Sequence, residues 1–176
     1  MTEPDGREPR RKQPNSRSCF VCGLENPVGL HLAFYSTGRG EAACDYVAPD
    51  HYQGYPGVVH GGIVASMLDE ILGRAAMETD SDRFMMTAKL EIRYRQPIPI
   101  GVPLRLVGRL VSRRGRAANA TGQIVLPDGT VGAEAESLLV VLPGLPSQGQ
   151  SLEDLGWKVY PDEPDSARAA TKRGVR

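Results

Sequence analysis

The stretch GYPGVVHGGIVASMLDEILG, residues 54–73, decides how this chain folds. Up to Gly62 it reads as a glycine-rich loop. Beyond it, Ile63, Val64, Met67, Leu68, Ile71, Leu72, Ala75 and Ala76 recur at three- and four-residue spacing. That is the apolar stripe of a helix about four turns long. The stripe is broad for a helix with one wet face, so the helix is expected at the centre of the fold with other elements around it.

Downstream the period changes to two. Met86, Ala88, Leu90, Ile92 and Tyr94 alternate with Thr87, Lys89, Glu91, Arg93 and Arg95, which predicts a half-buried strand with the first set inward. Pro97, Pro99 and Gly101 end it. Further strands are expected over 104–111, 117–126 and 131–142, with turns at Arg113–Arg116 and Pro127–Thr130. Upstream, 30–35 and 41–47 read as a hairpin around Thr37-Gly38-Arg39-Gly40. The order hairpin, helix, four strands predicts an α+β domain with one helix on a curved antiparallel sheet of about six strands. Short connections favour antiparallel neighbours among the four later strands.

The chain has 176 residues, enough for one ordinary domain. The body is expected over 18–142. Residues 1–17, rich in Pro, Arg, Glu and Asn, read as a disordered tail. Residues 143–176 read as an irregular extension, with Trp157 and Tyr160 as candidates to dock back on the body. Twenty-one basic and 21 acidic residues give zero net charge, which argues against a dedicated nucleic-acid binder. No apolar run approaches the roughly 20 residues of a membrane span. The charged N-terminus, with no apolar stretch behind it, argues against a secretory signal. Three cysteines do not suggest a disulfide framework, and the default compartment is the cytoplasm.

Gly61 and Gly62 precede the first apolar residues of the helix, where free N–H groups and a partial positive charge collect. Two glycines let a ligand approach that backbone, and a carbonyl gaining negative charge would be stabilised there. Asp69 lies mid-helix in an apolar segment, where a carboxylate is costly without a role or a partner. Its same-face neighbours Ala65, Ser66 and Gly73 are small and leave space beside it. Glu70 has Arg74 at i+4 and reads as half of an intrahelical ion pair. Asp69 is therefore the functional candidate of the two acids. His60 is nine residues from Asp69, about 13 Å along a helix, too far for a direct acid–base pair within it. It is expected to shape the loop or contact substrate.

Cys19-Phe-Val-Cys22 has zinc-ligand spacing, and Cys44 with His31 would complete a Cys₃His set. No second ligand pair follows at short interval, so the expectation is a structural turn with two reduced thiols, without stoichiometric zinc or an obligatory disulfide.

HGGIVASMLDEILG resembles the helix motif of hotdog-fold acyl-CoA thioesterases of the PaaI type and the related thioesterase superfamily, in which HGG is followed after six residues by Asp. CFVCGLENPVGLHLAFY, MTAKLEIRYRQPIPIG and residues 108–143 resemble flanking segments of the same group, so the likeness spans about 18–142. It implies a hotdog fold, a homodimer or homotetramer, and active sites at the subunit interface. It also implies hydrolysis of an acyl-CoA thioester without metal or organic cofactor. The family's roles fall on Asp69 as base or nucleophile, on the Gly61 N–H after His60 as carbonyl polariser, and on Thr87 as a group that positions water. Some relatives carry asparagine six residues before the HGG histidine, where this chain has Gly54. The competing readings are a non-catalytic hotdog protein that binds acyl-CoA and a zinc-stapled interaction module. For the phosphates of CoA the candidates are the turn arginines Arg113, Arg114 and Arg116, with Arg114 and Arg116 preferred, or Arg93 and Arg95 on the strand. No nucleic acid or membrane partner is expected.

Overall fold

The computed structural model describes residues 10–78, 80, 83–142 and 151–162. The strands are β1 (Arg11–Lys12), β2 (Tyr35–Gly38), β3 (Glu41–Val47), β4 (Met85–Tyr94), β5 (Pro103–Arg114), β6 (Ala117–Val125) and β7 (Val131–Val141); the helix α1 spans Gly61–Ala76. They form one antiparallel sheet in the order β1-β2-β3-β5-β6-β7-β4. The sheet wraps α1, which is the hotdog arrangement expected from the resemblance.

The expected helical stripe is the inner face. Val64, Met67, Leu68, Ile71, Leu72, Ala75 and Ala76 are buried against Leu104, Leu106, Ala118, Ala120, Ile124, Ala135 and Leu139. Truncating one of the larger ones to alanine would cost about 2–5 kcal/mol. The helix lies close on β5, because Gly108 has no side chain there: a Cβ would stand 2.5 Å from the Ile71 carbonyl oxygen.

Four expectations need correction. Strands β5, β6 and β7 pair in sequence order, but β4 pairs with β7 at the sheet edge instead of with β5. The segment between β4 and β5, with Pro97, Pro99 and Gly101, runs past the loop before the helix, through a bridge at Val58–Pro99 and a bond from Gly101 N–H to the Ala48 carbonyl. In β4 the expected alternation changes phase. Thr87 and Lys89 face the adjacent residues Leu139 and Leu138, so Ala88 is an extra, bulged residue. Thr87, Leu90 and Ile92 therefore share the inner face, and Met86 points out, 56% exposed.

The expected strand over 30–35 begins only at Tyr35. Leu30, Leu32 and Phe34 are buried as the alternation requires, but the N–H groups of Leu30 and Leu32 bond Phe20 and Val21 carbonyls rather than the sheet. His31 at φ 55 breaks the extended run. Finally, the expected tail is ordered from Arg10 onward. Arg11–Lys12 pair with Ser36 and Tyr35, and Gln13 and Asn15 are buried. Asn15 Nδ2 donates to the carbonyls of Cys22 (2.7 Å) and Leu32 (2.9 Å), and Gln13 Nε2 to that of Arg74 (3.1 Å). Residues 1–9 lie outside the described residues, as do 143–150 and 163–176 of the expected extension. Within 151–162, Trp157 docks on Phe84 (ring centroids 5.1 Å apart), and Asn15 bridges Lys158. No helix among the described residues is long and apolar enough to cross a membrane.

Candidate active site

His60 is the N-cap of α1, its Nδ1 accepting from the Gly62 N–H at 2.9 Å. The ring thus satisfies one of the first-turn donors. Gly54 packs under it, so close that a Cβ would stand 3.2 Å from His60 Cα. Tyr94, the last residue of β4, donates from its hydroxyl to the Gly61 carbonyl (2.9 Å) and fixes the start of the helix. Gly61 is exposed, and its N–H takes no partner among the described residues. Of the two glycines expected to meet substrate, Gly61 keeps its donor free, while Gly62 has given its donor to His60.

Asp69 is half-buried, and its Oδ1 accepts from Thr87 Oγ1 at 2.7 Å. The neighbouring acid behaves as expected: Glu70 Oε1 accepts from Arg74 Nε at 2.8 Å. Arg74 is buried, donates to the Pro14 carbonyl (2.5 Å), and lies over the rings of Phe34 and Trp157. Ser66 is turned to its own helix, donating to the Gly62 carbonyl at 2.9 Å.

Asp69 and Thr87 line a cavity of about 290 Å³ with Met77, Phe84, Met85, Leu152, Leu155 and Trp157 as apolar walls. Gly73 borders it, and a Cβ there would meet nothing within 4 Å. Cys19, Cys22, Glu70 and Arg74 line the same cavity. Hydrogen bonding from Cys22 pulls the Cys19 thiol down to about 6, and the same contact, with burial, pushes Cys22 up. The Cys₃His set does not form: Cys44 is buried in β3, its thiol pushed up to about 12 by burial, and His31 Nε2 bonds the Asn26 carbonyl.

Arg114 and Arg116 are exposed on the β5–β6 turn. Their neighbour Arg113 bonds the carbonyl of Ala76, the last residue of α1. The turn therefore sits at the opposite end of the helix from Gly61, and one chain does not bring these arginines to it. Arg93 pairs with Glu91 at 3.5 Å and Arg95 with Glu134. A second depression, about 330 Å³, lies on the outer sheet face among Glu91, Arg93, Arg109 and Glu134, away from the helix. Sequence reasoning missed Tyr94 as the clasp on Gly61 and the aromatic walls Phe84 and Trp157. Tyr94 closes an ordinary alternating strand, and nothing in its spacing marks its hydroxyl.

One inward helix wrapped by a curved antiparallel sheet, with HGG at its start and an acid facing a cavity from its middle, defines a hotdog domain. Residues 56–133 match the family model of the thioesterase superfamily. Acyl-coenzyme A thioesterase THEM4 of Rattus norvegicus is 34% identical over 97 residues, 54% of this chain and 41% of that protein. THEM4 of Mus musculus is 29% identical over 140 residues, 78% of this chain and 60% of that protein. The chain thus spans about half the length of these curated relatives. A thioesterase superfamily protein of known crystal structure is 36% identical with a TM-score of 0.65, covering 70% of this chain and 60% of its own.

Proposed function

We propose that this domain hydrolyses acyl-CoA thioesters to a free acid and CoA. The observation that carries the reading is the Thr87–Asp69 pair set at the wall of an apolar cavity. Thr87 occupies one carboxylate oxygen and orients the group. The other oxygen is left to take a proton from water as that water attacks the thioester carbon, or to attack the carbon itself. The carbon–sulfur bond then breaks, and the CoA thiolate leaves and takes up a proton; where Asp69 itself attacked, water then cleaves the acyl–Asp69 anhydride to the free acid and restores the carboxylate. The carbonyl oxygen gains charge during the attack, and the Gly61 N–H at the positive end of α1 suits it. The apolar walls suit an acyl group, in a volume near the small end of the roughly 300–1,000 Å³ usual for ligand pockets.

Gly61 and Asp69 are eight residues apart on one helix, about 12 Å at 1.5 Å per residue. One thioester cannot touch both in the same chain. The site is therefore composite, with Asp69 from one subunit and Gly61 from another, in a dimer or tetramer. Strand β4 supports this, since it pairs only with β7 among the described residues and carries exposed Met86 and Tyr94. A non-catalytic acyl-CoA binder of the same fold would not need the helical acid, which is present here. Three free thiols suit a reducing compartment such as the cytoplasm.

The test is hydrolysis of an acyl-CoA panel, with free thiol as readout, for the wild type and Asp69→Asn. Turnover abolished by the substitution supports the reading. No turnover of any acyl-CoA by the wild-type chain, with binding retained, would move it to the non-catalytic alternative.

A further inference from the structure

The fold lays the Cys19–Cys22 turn against the middle of α1. The two sulfurs and a carboxylate oxygen of Glu70 lie within 4.8 Å of one another. We propose that Cys19, Cys22 and Glu70 form a binding site for one thiophilic divalent cation of the zinc class. The spacing argued against a metal because no second ligand pair follows in the sequence. The third donor comes instead from the helix, 48 positions beyond Cys22.

The turn is built for thiolates. The backbone N–H groups of Val21 and Cys22 point at Cys19 Sγ, at 3.3 and 3.5 Å. Donors aimed at a sulfur favour its anionic, metal-binding form. The Gly23 N–H closes the turn on the Cys19 carbonyl at 2.9 Å, and a Cβ on Gly23 would stand 2.3 Å from that oxygen. Any other residue there would open the turn. Ser16 Oγ accepts from the Cys19 N–H (3.2 Å) and lies 3.6 Å from Cys22 Sγ, so its own hydrogen can serve the second sulfur.

Glu70 is prepared in the same way. Arg74 holds Oε1 at 2.8 Å, the outer bond that a ligating carboxylate usually has, and Oε2 remains for an ion. The charges also balance. Two thiolates and one carboxylate make −3, the buried Arg74 adds +1, and a divalent cation brings the group to zero. Two sulfur donors select soft cations over magnesium or calcium. A tetrahedral zinc with Zn–S of about 2.3 Å holds its sulfurs about 3.8 Å apart, so side-chain rotation of about an ångström closes the set. All three donors line the cavity that holds Asp69, so the fourth position faces that cavity and takes water. The site ties residues 16–23 to the helix, and it stands whether or not Asp69 hydrolyses thioesters.

The test uses the full chain, reduced and stripped with a chelator, then titrated with Zn²⁺ and separately with Co²⁺. The expected result is one ion per chain, with a thiolate-to-cobalt charge-transfer band in the near ultraviolet. Cys19→Ser and Cys22→Ser should lose the band, and Cys44→Ser should keep it. If the two serine variants fail to fold, Glu70→Gln decides, because it leaves both thiols and an acceptor for Arg74. It should weaken binding at least about tenfold, the smaller loss seen even for outer-shell partners. Reduced chain that takes up neither ion overturns the proposal. So does unchanged affinity in Glu70→Gln. A Cys19–Cys22 disulfide whose reduction restores no metal binding overturns it too, and makes the pair a redox couple instead.

Discussion

Thr87 Oγ1 donates to Asp69 Oδ1 at 2.7 Å, and the bond exists because β4 bulges at Ala88. A regular strand with Leu90 and Ile92 inward would turn Thr87 to the outer face, since side chains alternate with period two. The extra residue resets the phase and lets a hydroxyl reach the one helical acid that has small neighbours. A bulge that re-aims a side chain is a recurrent device beside active sites.

If Asp69 is base or nucleophile, Asp69→Asn should lower kcat by about 10²-fold or more, within the range for a positioned acid–base group. Thr87→Val should lower it by about ten- to a hundredfold, the rate equivalent of a hydrogen bond to a charged group worth about 1.5–3 kcal/mol. Thr87→Ser should restore most of the loss, which a merely structural role for the threonine would not produce. Near wild-type turnover in Asp69→Asn, with Glu70→Gln inactive, would overturn the assignment and move the role to Glu70.

The composite site is testable by mixing subunits. Gly61→Pro removes one N–H, and the backbone already suits it: His60 has φ −59 and ψ 136, the region a residue before proline prefers. Alone it should lose about 10²–10³ in kcat, as for a removed oxyanion donor. Mixed one to one with Asp69→Asn and allowed to exchange, it should recover about a quarter of wild-type activity, since half the two-fold dimers carry one intact site. Two dead variants that stay dead after verified exchange would place both groups in one chain.

The helix and the acid were legible because their signals are local. The stripe from Ile63 to Ala76 and the small residues around Asp69 need only the helical period. The phase of β4 was not, because a bulge is set by the partner strand: only the pairing with Leu138 and Leu139 shows that Ala88 is extra. The segment 10–17 read as disordered for a related reason. Gln13 and Asn15 are polar, and their burial rests on amide bonds to the carbonyls of Cys22, Leu32 and Arg74, supplied by distant parts of the chain. The Cys19–Cys22 spacing was visible, but its third neighbour comes from the helix and is visible only in three dimensions.

Gly73 sets the width of the cavity beside Asp69. Because a Cβ there meets nothing, Gly73→Ala should fold normally and stabilise the helix by about 0.5–1 kcal/mol, raising Tm. Gly73→Leu should project into the cavity and shift preference toward shorter acyl chains, seen as a rise in KM confined to the longer ones. A chain-length profile identical to wild type would mean that the acyl group lies elsewhere.

Asp45 links the N-terminal segment to the sheet through Arg10 (3.1 Å) and Arg105 (2.8 Å). Burial pulls its carboxyl upward, but the bonds and charges of Arg105 and Arg10 outweigh it and hold the group below its ordinary value. A depressed folded value means stability that is present above the unfolded pKa, about 3.9, and lost as pH falls below it. Asp45→Asn should therefore flatten the acid limb of the stability curve below about pH 4. At neutral pH it should cost under about 1 kcal/mol, because the pair is partly exposed. An acid limb unchanged in denaturant titrations would remove Asp45 from this role.

CoA carries phosphates, and the exposed pair Arg114 and Arg116 is our candidate for holding them. Arginine's planar fork suits phosphate oxygens, and Arg93 and Arg95 are already engaged by Glu91 and Glu134. Within one chain the turn lies at the far end of the helix from Gly61, so the contact requires a neighbouring subunit to bring it to the mouth. Replacing both arginines with alanine should then raise KM for acyl-CoA about tenfold, the equivalent of about 1.4 kcal/mol. It should leave kcat nearly unchanged, since the contact is the same in ground and transition states. The effect should shrink as salt screens the exposed charges, and vanish for a short thioester lacking the nucleotide. An unchanged KM for acyl-CoA at low ionic strength would exclude the turn. The strand arginines would then have to release their acids to serve, and Arg93→Ala would be the measurement that decides it.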